Sequence, residues 1–315
     1  MKILVTGGAG FIGSQIVDAL IEKRYEVVIV DNLSSGRKEN LNKKAKFFQG
    51  DIVDFDAMKP LFTGVDYVFH TAAQARMQPS IFDPRRTFQD NVIGTLNVLL
   101  ASKDAKVRKV VYSASSSAYG AQKKMPLQEG MKTGPKNPYA LSKIIGEQIC
   151  KLFSGLYGLK TISLRYFNVY GQRQPEEGIY ATVIGIFLRQ KYNREPLTII
   201  GDGQQKRDFT YVSDIVKANL LAMESPAGNG EIINIGTGKN DSINSIAEMV
   251  LKTSIKYACR NGLASYIPKR PGEVEETLAD ISRASKLLGW KPSISMKEGL
   301  QKTASWYEQK TSRKN

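Results

Sequence analysis

The sequence is poor in the residues that build disulfide frameworks and metal centres, with two cysteines and one histidine among 315 residues. Cys150 and Cys259 lie far apart and match no metal-ligand spacing, so we interpret them as reduced thiols and expect a cytoplasmic protein without a metal ion. His70, at the end of a short apolar run, is interpreted as structural. No run approaches the ~18 apolar residues of a membrane span. The N-terminus lacks the pattern of a secretory signal, so we expect no membrane association.

The charge balance is strongly basic, with a net charge of +15 at pH 7. The lysines are scattered, however, and no block of about five or six like charges appears. No motif that reads a nucleic-acid groove accompanies the charge, so we expect no nucleic-acid partner. The net positive charge is explained more simply as a field that attracts an anionic small substrate, such as a diphosphate.

Short apolar runs alternate with helix-period segments through the first half of the chain. The candidate strands are residues 2–5, 26–30, 46–49, 67–70, 110–113 and 161–165, and the candidate helices include 12–23 and 91–102. This alternation predicts an α/β fold, a Rossmann-type doubly wound parallel sheet covered on both faces. We assign residues 1–168 to a cofactor-binding domain, with returning segments near 208–238.

The pattern changes at the polar, turn-rich loop 171–178. A candidate helix (181–190) and a short strand (197–200) follow, and the apolar run 232–235 is a candidate strand of the first sheet. Residues 169–315 are therefore expected to form mainly a smaller, mixed α/β substrate-binding lobe.

Three glycines, Gly7, Gly10 and Gly13, lie between the first strand and the first helix. At this spacing they permit a tight turn, close approach of a pyrophosphate and close helix–strand packing, which is typical of a dinucleotide site. Asp31 ends the next strand, about 20 residues on, where a carboxylate accepts a ribose 2′-hydroxyl and repels a 2′-phosphate. This favours NAD over NADP, although Arg37 keeps NADP open. Asp51 either accepts from the adenine amine or caps a helix.

A second helix is predicted to begin at Asn137-Pro138, a good N-cap followed by a good first helical residue. At about 100° per residue, Tyr139, Lys143, Gly146 and Cys150 share one face, which we expect to line the cofactor cleft. A nearby ammonium favours ionisation of a tyrosine, so Tyr139 is the candidate general base.

Two further features concern this helix. Ser115 follows an apolar strand, at the edge where parallel sheets bind ligands, and either relays a proton to Tyr139 or bonds only to nearby backbone. Leu141, Ile145 and Leu152 form the opposite helix face, which is buried either in the core or against a second subunit. We expect a homodimer that uses this face.

These residues resemble the extended short-chain dehydrogenase/reductase family and, within it, the UDP-hexose 4-epimerases. The resemblance runs almost end to end. Its motifs are residues 6–13, 31–33, 51–52, 70–73, 91–95, Ser115, the Tyr139/Lys143 pair, 164–168, 207–209 and 270–273.

The resemblance implies NAD-dependent 4-epimerisation of a UDP-sugar through a transient 4-keto intermediate, with Tyr139 as the base, Ser115 as its partner and Lys143 beside them. The implied cofactor-binding residues are Gly7, Gly10, Phe11, Ile12, Asp31, Asn32, Asp51, Ile52, Ala72, Ala73, Asn91, Tyr139, Lys143 and Tyr166. The implied substrate-binding residues are Ser115, Asn168, Thr198, Ile200, Arg207, Arg270, Glu273 and Thr277. Among them, Asn168, Arg207 and Arg270 are expected to hold the diphosphate.

Small differences within the family bear on the substrate. Related dehydratases carry an Asp-Glu pair where this chain has Ser116 and Ser117, and related UDP-glucuronate epimerases usually carry Phe-Phe-Thr where it has Tyr166-Phe-Asn168. These differences favour a neutral sugar. The resemblance places Thr277 at the family position that walls the sugar 2-substituent, and a small residue there is similar to the enzymes that accept N-acetylhexosamines besides UDP-glucose and UDP-galactose. The alternatives are another nucleotide-sugar enzyme of the family (a UDP-glucuronate 4-epimerase, dehydratase or reductase) and a catalytically silent relative that senses NAD or binds nucleic acid.

Overall fold

A seven-stranded parallel sheet lies at the centre of the protein, of which the computed structural model describes residues 1–75, 77–178, 181–269 and 274–312. Its strands are β1 (Lys2–Thr6), β2 (Glu26–Asp31), β3 (Lys46–Gln49), β4 (Tyr67–His70), β5 (Lys109–Ser115), β6 (Lys160–Tyr166) and β11 (Asn229–Ile235). Their order is β11-β6-β5-β4-β1-β2-β3, so the direction of winding reverses at β1, which pairs with both β2 and β4. Open α/β sheets bind their ligands at such a point.

Helices cover both faces of the sheet, because successive strand side chains point to opposite sides. One face packs against α1 (Phe11–Glu22), α8 (Val212–Glu224) and α11 (Ser282–Leu288), and the other packs against α2 (Phe55–Met58), α5 (Gly94–Asp104) and α6 (Pro138–Tyr157). In β1, Ile3 and Val5 are buried on the first face and Leu4 on the second. Each such burial contributes about 1.5–3 kcal/mol. The prediction of a doubly wound α/β sheet is confirmed.

A smaller lobe packs its own apolar core beyond the carboxyl ends of the strands. Its helices and strands are α7 (Val183–Tyr192), β8 (Leu197–Ile200), α9 (Ile243–Leu251), α10 (Ile255–Arg260), β13 (Ala264–Ile267) and α12 (Met296–Ser312). Two-residue ladders lie between the lobe and the sheet: β7 (Val169–Tyr170) with β10 (Thr210–Tyr211), and β9 (Lys206–Arg207) with β12 (Asp241–Ser242). β11 lies within the segments expected to return to the sheet, and the division at residue 168 stays a prediction.

The remaining helical segments are short. They are α3 (Met77–Phe82), α4 (Pro84–Phe88), the 3-10 helices Lys38–Asn40, Lys59–Phe62 and Ser116–Tyr119, and the π-helix Gln89–Ile93. The helix expected over 91–102 thus begins with a π-turn, and α7 begins two residues late because the side chain of Thr182 caps it by accepting from Gly185 N at 3.2 Å. Within the described part of the chain, no helix is both long and apolar enough to cross a bilayer.

Candidate active site

The glycine turn between β1 and α1 brings backbone segments too close together to leave room for side chains. Gly7 has a φ of +73°, and a Cβ there would lie 2.7 Å from the Ala72 nitrogen. A Cβ on Gly13 would lie 2.2 Å from the Gly7 carbonyl oxygen. No side chain caps the N-terminus of α1 at Gly10, so its backbone donors suit a phosphate. These features fit the pyrophosphate of a dinucleotide.

Asp31 lies at the carboxyl end of β2, on the wall of the same cleft. Its carboxylate accepts from the backbone N–H groups of Ala9 and Leu33, at 2.9 and 2.8 Å. Burial raises the pKa of Asp31, and these two hydrogen bonds oppose the shift. The remaining lone pairs of the carboxylate suit a ribose hydroxyl. Asp51 accepts from Asn32 at 2.8 Å and from Val53 N at 3.0 Å, so it closes a turn, while Asp54 caps α2.

Helix α6 places the predicted base at the cleft. Asn137 caps it by accepting from Ala140 N at 2.9 Å, and Pro138 is its first residue, as the sequence predicts. Tyr139 and Lys143 both line the cleft. The Lys143 ammonium lies 6.0 Å from the centre of the Tyr139 ring and donates to the Ser113 carbonyl at 2.8 Å.

The expected cofactor-lining face of α6 is shorter than predicted. A Cβ on Gly146 would lie 2.2 Å from the Tyr112 hydroxyl, and Cys150 is fully buried. Neither lines the cleft, because α6 leaves its rim after about two turns and packs against the sheet. Only the Tyr139/Lys143 half of the face is available to a ligand.

The charges around Lys143 are set by burial. Burial lowers the pKa of Lys143 to about 8, and the carboxylate of Glu147 opposes the shift. Burial raises the pKa of Tyr166 to about 12; its hydroxyl makes hydrogen bonds of 3.1 Å with Ser113 and 3.0 Å with Asn219. Tyr139, which is only half-buried, is therefore the better-placed phenol for proton transfer.

His70 does not enter this chemistry. Both ring nitrogens are hydrogen-bonded to threonine hydroxyls, Thr6 at 2.7 Å and Thr95 at 2.9 Å. Burial lowers the pKa of His70 to about 3, with a contribution from Lys143. The ring is neutral at physiological pH and has a structural role, as the sequence predicts.

Ser115 is the last residue of β5 and lies in the cleft wall. Its hydroxyl accepts from the Ser117 side chain at 2.9 Å and from the Ser117 nitrogen at 3.2 Å. Both bonds leave the proton of Ser115 available for donation. The sequence does not predict that Ser117 donates to Ser115, because nothing distinguishes Ser117 from its neighbours in the serine run.

One cleft of about 620 Å³ brings most of the predicted residues together. Its lining includes the predicted residues Gly7, Gly10, Phe11, Ile12, Asp31, Asn32, Asp51, Ile52, Ala72, Ala73, Ser115, Tyr139, Lys143, Tyr166, Asn168, Arg207 and Thr277. Lining residues that the sequence did not single out include Ser34, Ser35, Lys136 and Glu177. The cleft follows the carboxyl ends of the strands from Asp31 to the lobe.

Asn91 is not part of this lining. It is 1% exposed, and its amide donates to the Gln74 carbonyl at 3.0 Å and to the Ser142 hydroxyl at 2.9 Å. Its oxygen accepts from Gln74 N at 2.7 Å. Asn91 lies in the π-helix and fastens the residue-74 loop to α6. Its direct contact with the cofactor stays a prediction.

A smaller pocket of about 270 Å³ shares Asn168, Val169 and Arg207 with the cleft. Thr198 and Ile200 line it, as predicted, although Thr198 N already donates to Gln190 at 3.1 Å and the Ile200 carbonyl accepts from Gln205 at 2.9 Å. Gln205 also lines this pocket and was missed, because nothing in its local sequence marks it.

The junction of the two pockets is held by hydrogen bonds from the side chains of Arg207 and Asn168. The Arg207 guanidinium donates to the carbonyls of Lys206 and Glu275, at 2.9 and 3.2 Å. The Asn168 amide donates to the Asp208 carbonyl at 2.9 Å and to the Thr277 hydroxyl at 3.3 Å. Arg270 and Glu273 lie outside the described residues. Among the described residues, no cluster of three metal-ligating side chains occurs.

Comparison with known proteins agrees with this geometry. The sequence model of the NAD dependent epimerase/dehydratase family matches residues 3–236. The UDP-glucose 4-epimerase of Thermotoga maritima, solved with UDP-glucose, superposes with a TM-score of 0.93 at 41% identity, covering 99% of this chain and 100% of that one. The UDP-N-acetylglucosamine 4-epimerase of Methanobrevibacter ruminantium, solved with UDP-N-acetylmuramic acid, gives 0.90 at 40% identity and covers 98% of each chain.

A third relative has a different sugar in its name. The UDP-glucuronate 4-epimerase of Thermodesulfobacterium geofontis is 39% identical over 96% of this chain and 95% of its own. Its sequence identity to this chain is nearly as high as that of the other two relatives. The predicted resemblance and the predicted cofactor are confirmed: the chain belongs to the NAD-dependent epimerase/dehydratase family, and its cofactor is NAD.

Proposed function

We propose that the protein is a UDP-sugar 4-epimerase that acts on UDP-glucose and UDP-galactose and on their N-acetylhexosamine counterparts. The observation that carries the proposal is the convergence of Tyr139, Lys143 and Ser115 on one cleft wall, between the glycine turn and the Asn168/Arg207 junction. The relatives that act on UDP-sugars support it.

Tyr139 would remove the proton of the sugar 4-hydroxyl. A free tyrosine has a pKa of ~10, and a fall of ~3 units, worth about 4 kcal/mol, makes it a usable base near neutral pH. The Lys143 ammonium, 6.0 Å from the ring centre and fixed by Ser113, supplies a charge that favours the phenolate. Ser115, which keeps its own proton, would bond the substrate oxygen.

The glycine turn and Asp31 would hold NAD, which when bound would supply the removal of hydride from C4 of the sugar and its return to the opposite face. The chain must therefore hold UDP while the keto sugar turns over. Arg207 suits the diphosphate, because a guanidinium can bind phosphate oxygens with two donors. The pocket lined by Thr198 and Ile200 is of a size that suits a base ring.

The size of the side chain at Thr277 supports acceptance of N-acetyl groups. Thr277 lines the main cleft, and its hydroxyl accepts from Asn168 and from Asp208 N, both at 3.3 Å. A small side chain tied back in this way leaves room for a 2-acetamido group. An aromatic ring at the same place would fill that room.

The proposal is tested by incubating the purified protein with UDP-glucose, UDP-galactose, UDP-N-acetylglucosamine and UDP-glucuronate, without added cofactor. Conversion of the first three into their C4 stereoisomers, at unchanged mass, is the expected result. Conversion of UDP-glucuronate alone would assign the uronate reaction, and a change of mass would indicate a dehydratase or reductase. No turnover combined with salt-sensitive RNA binding would favour a non-catalytic role.

A further inference from the structure

A fully buried ion pair lies behind the cleft, and neither of its members is among the residues that line the two pockets. Glu147 on α6 and Arg165 on β6 are 0% and 2% exposed, and two hydrogen bonds of 2.8 and 2.7 Å join them. Burying two charges costs several kcal/mol each, and an apolar pair of similar volume is often as stable. Fold stability alone is therefore a weak reason for charges at this position.

The pair connects the two elements that carry the proposed reacting groups. Glu147 is one helical turn beyond Lys143 on α6. Arg165 pairs in register with Ala114, the residue before Ser115. Its guanidinium lies 4.6 Å from the centre of the Tyr119 ring, at the end of the 3-10 turn that begins directly after Ser115.

The same contacts continue toward the sugar end of the cleft. The Tyr119 hydroxyl donates to the Asn234 side chain at 2.7 Å. The Asn234 amide then donates to the carbonyls of Leu127 and Asp280, at 2.8 and 3.2 Å. One chain of contacts therefore joins α6 to the Ser115 turn and ends at Asp280, three residues beyond Thr277 in the sequence.

We propose that the Glu147–Arg165 pair is a positioning device that fixes helix α6 against the Ser115 turn and holds a carboxylate one helical turn from the Lys143 ammonium. The inference rests on the proposed function of Tyr139, Lys143 and Ser115 and deepens it. Neither member of the pair touches substrate; both act through the groups they hold.

Electrostatics agrees with this role. Burial is the main cause that lowers the pKa of Lys143, and Glu147 is the largest opposing one. Burial also raises the pKa of Glu147 itself, and Arg165 and then Lys143 oppose that shift. Among the described residues, the other ionisable groups that interact with Glu147 or Lys143 are His70, Tyr112, Tyr139, Cys150 and Arg165. Burial keeps His70, Tyr112 and Cys150 uncharged near neutral pH, which leaves Glu147 as the anion that favours the charged lysine.

The test replaces both charges at once, as Glu147→Met with Arg165→Met. The double variant should keep a Tm near that of the wild type. Its kcat should fall about 10–100-fold because reacting groups displaced by a fraction of an ångström lose their alignment, while KM should stay near the wild-type value. The alkaline limb of its kcat profile should move down by about one pH unit. A folded double variant with the wild-type kcat and pH profile would overturn the proposal.

The matched control is Lys109→Met. Lys109 is 3% exposed and begins β5, the strand that Ser115 ends; its ammonium donates to the carbonyls of Ala222, Met223 and Ser225. This variant should lower Tm but leave kcat and its pH profile unchanged. A similar shift of the kcat profile in Lys109→Met would show that loss of fold stability alone moves the profile, and it would count against the proposal.

Two further measurements keep the inference testable. If the double variant does not fold, Glu147→Gln, which keeps the shape of the side chain, should show the same shift in the alkaline limb of the kcat profile. Failure of both variants to fold would make the pair purely structural and overturn the proposal.

Ultraviolet difference absorbance, measured against Tyr139→Phe, reports phenolate formation without turnover. The double variant should form phenolate at higher pH than the wild type. If the double variant forms phenolate at higher pH but the wild-type protein converts no UDP-sugar, the proposed function is wrong and this inference stands. If the wild-type protein converts UDP-sugars but the double variant shows no such pH shift, this inference is wrong and the proposed function stands.

Discussion

The Lys143 ammonium donates a 2.8 Å hydrogen bond to the main-chain carbonyl of Ser113, two residues before Ser115. This bond fixes the only side chain of α6 that is both charged and part of the described cleft lining. It places the charge 4.9 Å from the Tyr112 ring centre and 6.0 Å from that of Tyr139. The helix and the strand therefore meet through the group on which the proposed proton transfer depends.

The first prediction concerns pH. Because burial lowers the pKa of Lys143 to about 8, its ammonium is charged below that pH and is lost as pH rises through it. The charged form favours the phenolate, so kcat should fall as pH rises above about 8. A kcat profile measured with saturating UDP-glucose checks this, and a rate that stays level to pH ~10 would contradict it.

Tyr139→Phe should leave NAD bound but lower kcat by about 10²–10⁴-fold, the range expected on losing a general base. Bound NAD is measured after denaturing the purified variant, and kcat by conversion of UDP-galactose. The control is Tyr166→Phe, which removes a hydroxyl bonded to Ser113 and Asn219. It should cost about 1 kcal/mol of folding stability and little activity. Wild-type turnover in Tyr139→Phe would place the base elsewhere.

Thr277→Tyr should suppress conversion of UDP-N-acetylglucosamine more than conversion of UDP-glucose, because the ring would fill the space beside the sugar 2-position. Thr277→Ser, which keeps the hydroxyl bonded to Asn168 and Asp208 N, is the control and should retain the ratio. The ratio of kcat/KM for the two substrates is the measurement. Equal losses on both substrates would refute the pocket argument.

The outer face of α6 predicts a homodimer. Leu141 and Leu152 are 40% and 54% exposed, and Leu156 and Tyr157, on the same helix, are 65% and 53% exposed. An apolar helix face of this extent is costly in water and typical of a subunit interface. Light scattering at micromolar concentration should give a dimer for the wild type and a monomer for Leu141→Glu with Leu152→Glu.

The control for the dimer is Leu263→Glu. Leu263 is 43% exposed but lies on the lobe, away from α6, so its replacement should leave the mass unchanged. A wild-type monomer would remove the prediction. A dimeric double variant would move the interface to another surface.

Local chemistry explains what the sequence predicts well. The glycine turn and the Asn137-Pro138 start of α6 follow from backbone requirements of a few adjacent residues. The spacing of Tyr139 and Lys143 places them on one face for the same reason. Helical periodicity does not reveal where that face leaves the cleft, however, and so Gly146 and Cys150 were wrongly assigned to the lining.

Contacts between distant parts of the chain explain what the sequence does not predict. Asn91 is held inward by Gln74 and Ser142, which lie 17 and 51 residues away in the sequence. Glu147 meets Arg165 only once the helix has packed on the sheet. Gln205 reaches the smaller pocket through a bond to the Ile200 carbonyl that exists only in the folded lobe.

The pairing of β11 with β6 has a consequence for dividing the polypeptide. A fragment that ends at residue 168 would contain the whole glycine turn, yet it would leave the backbone of β6 without its outer neighbour. Such an open strand edge invites association with other chains. Attempts to express the dinucleotide-binding half by itself should therefore give insoluble material unless residues 229–235 are supplied as well.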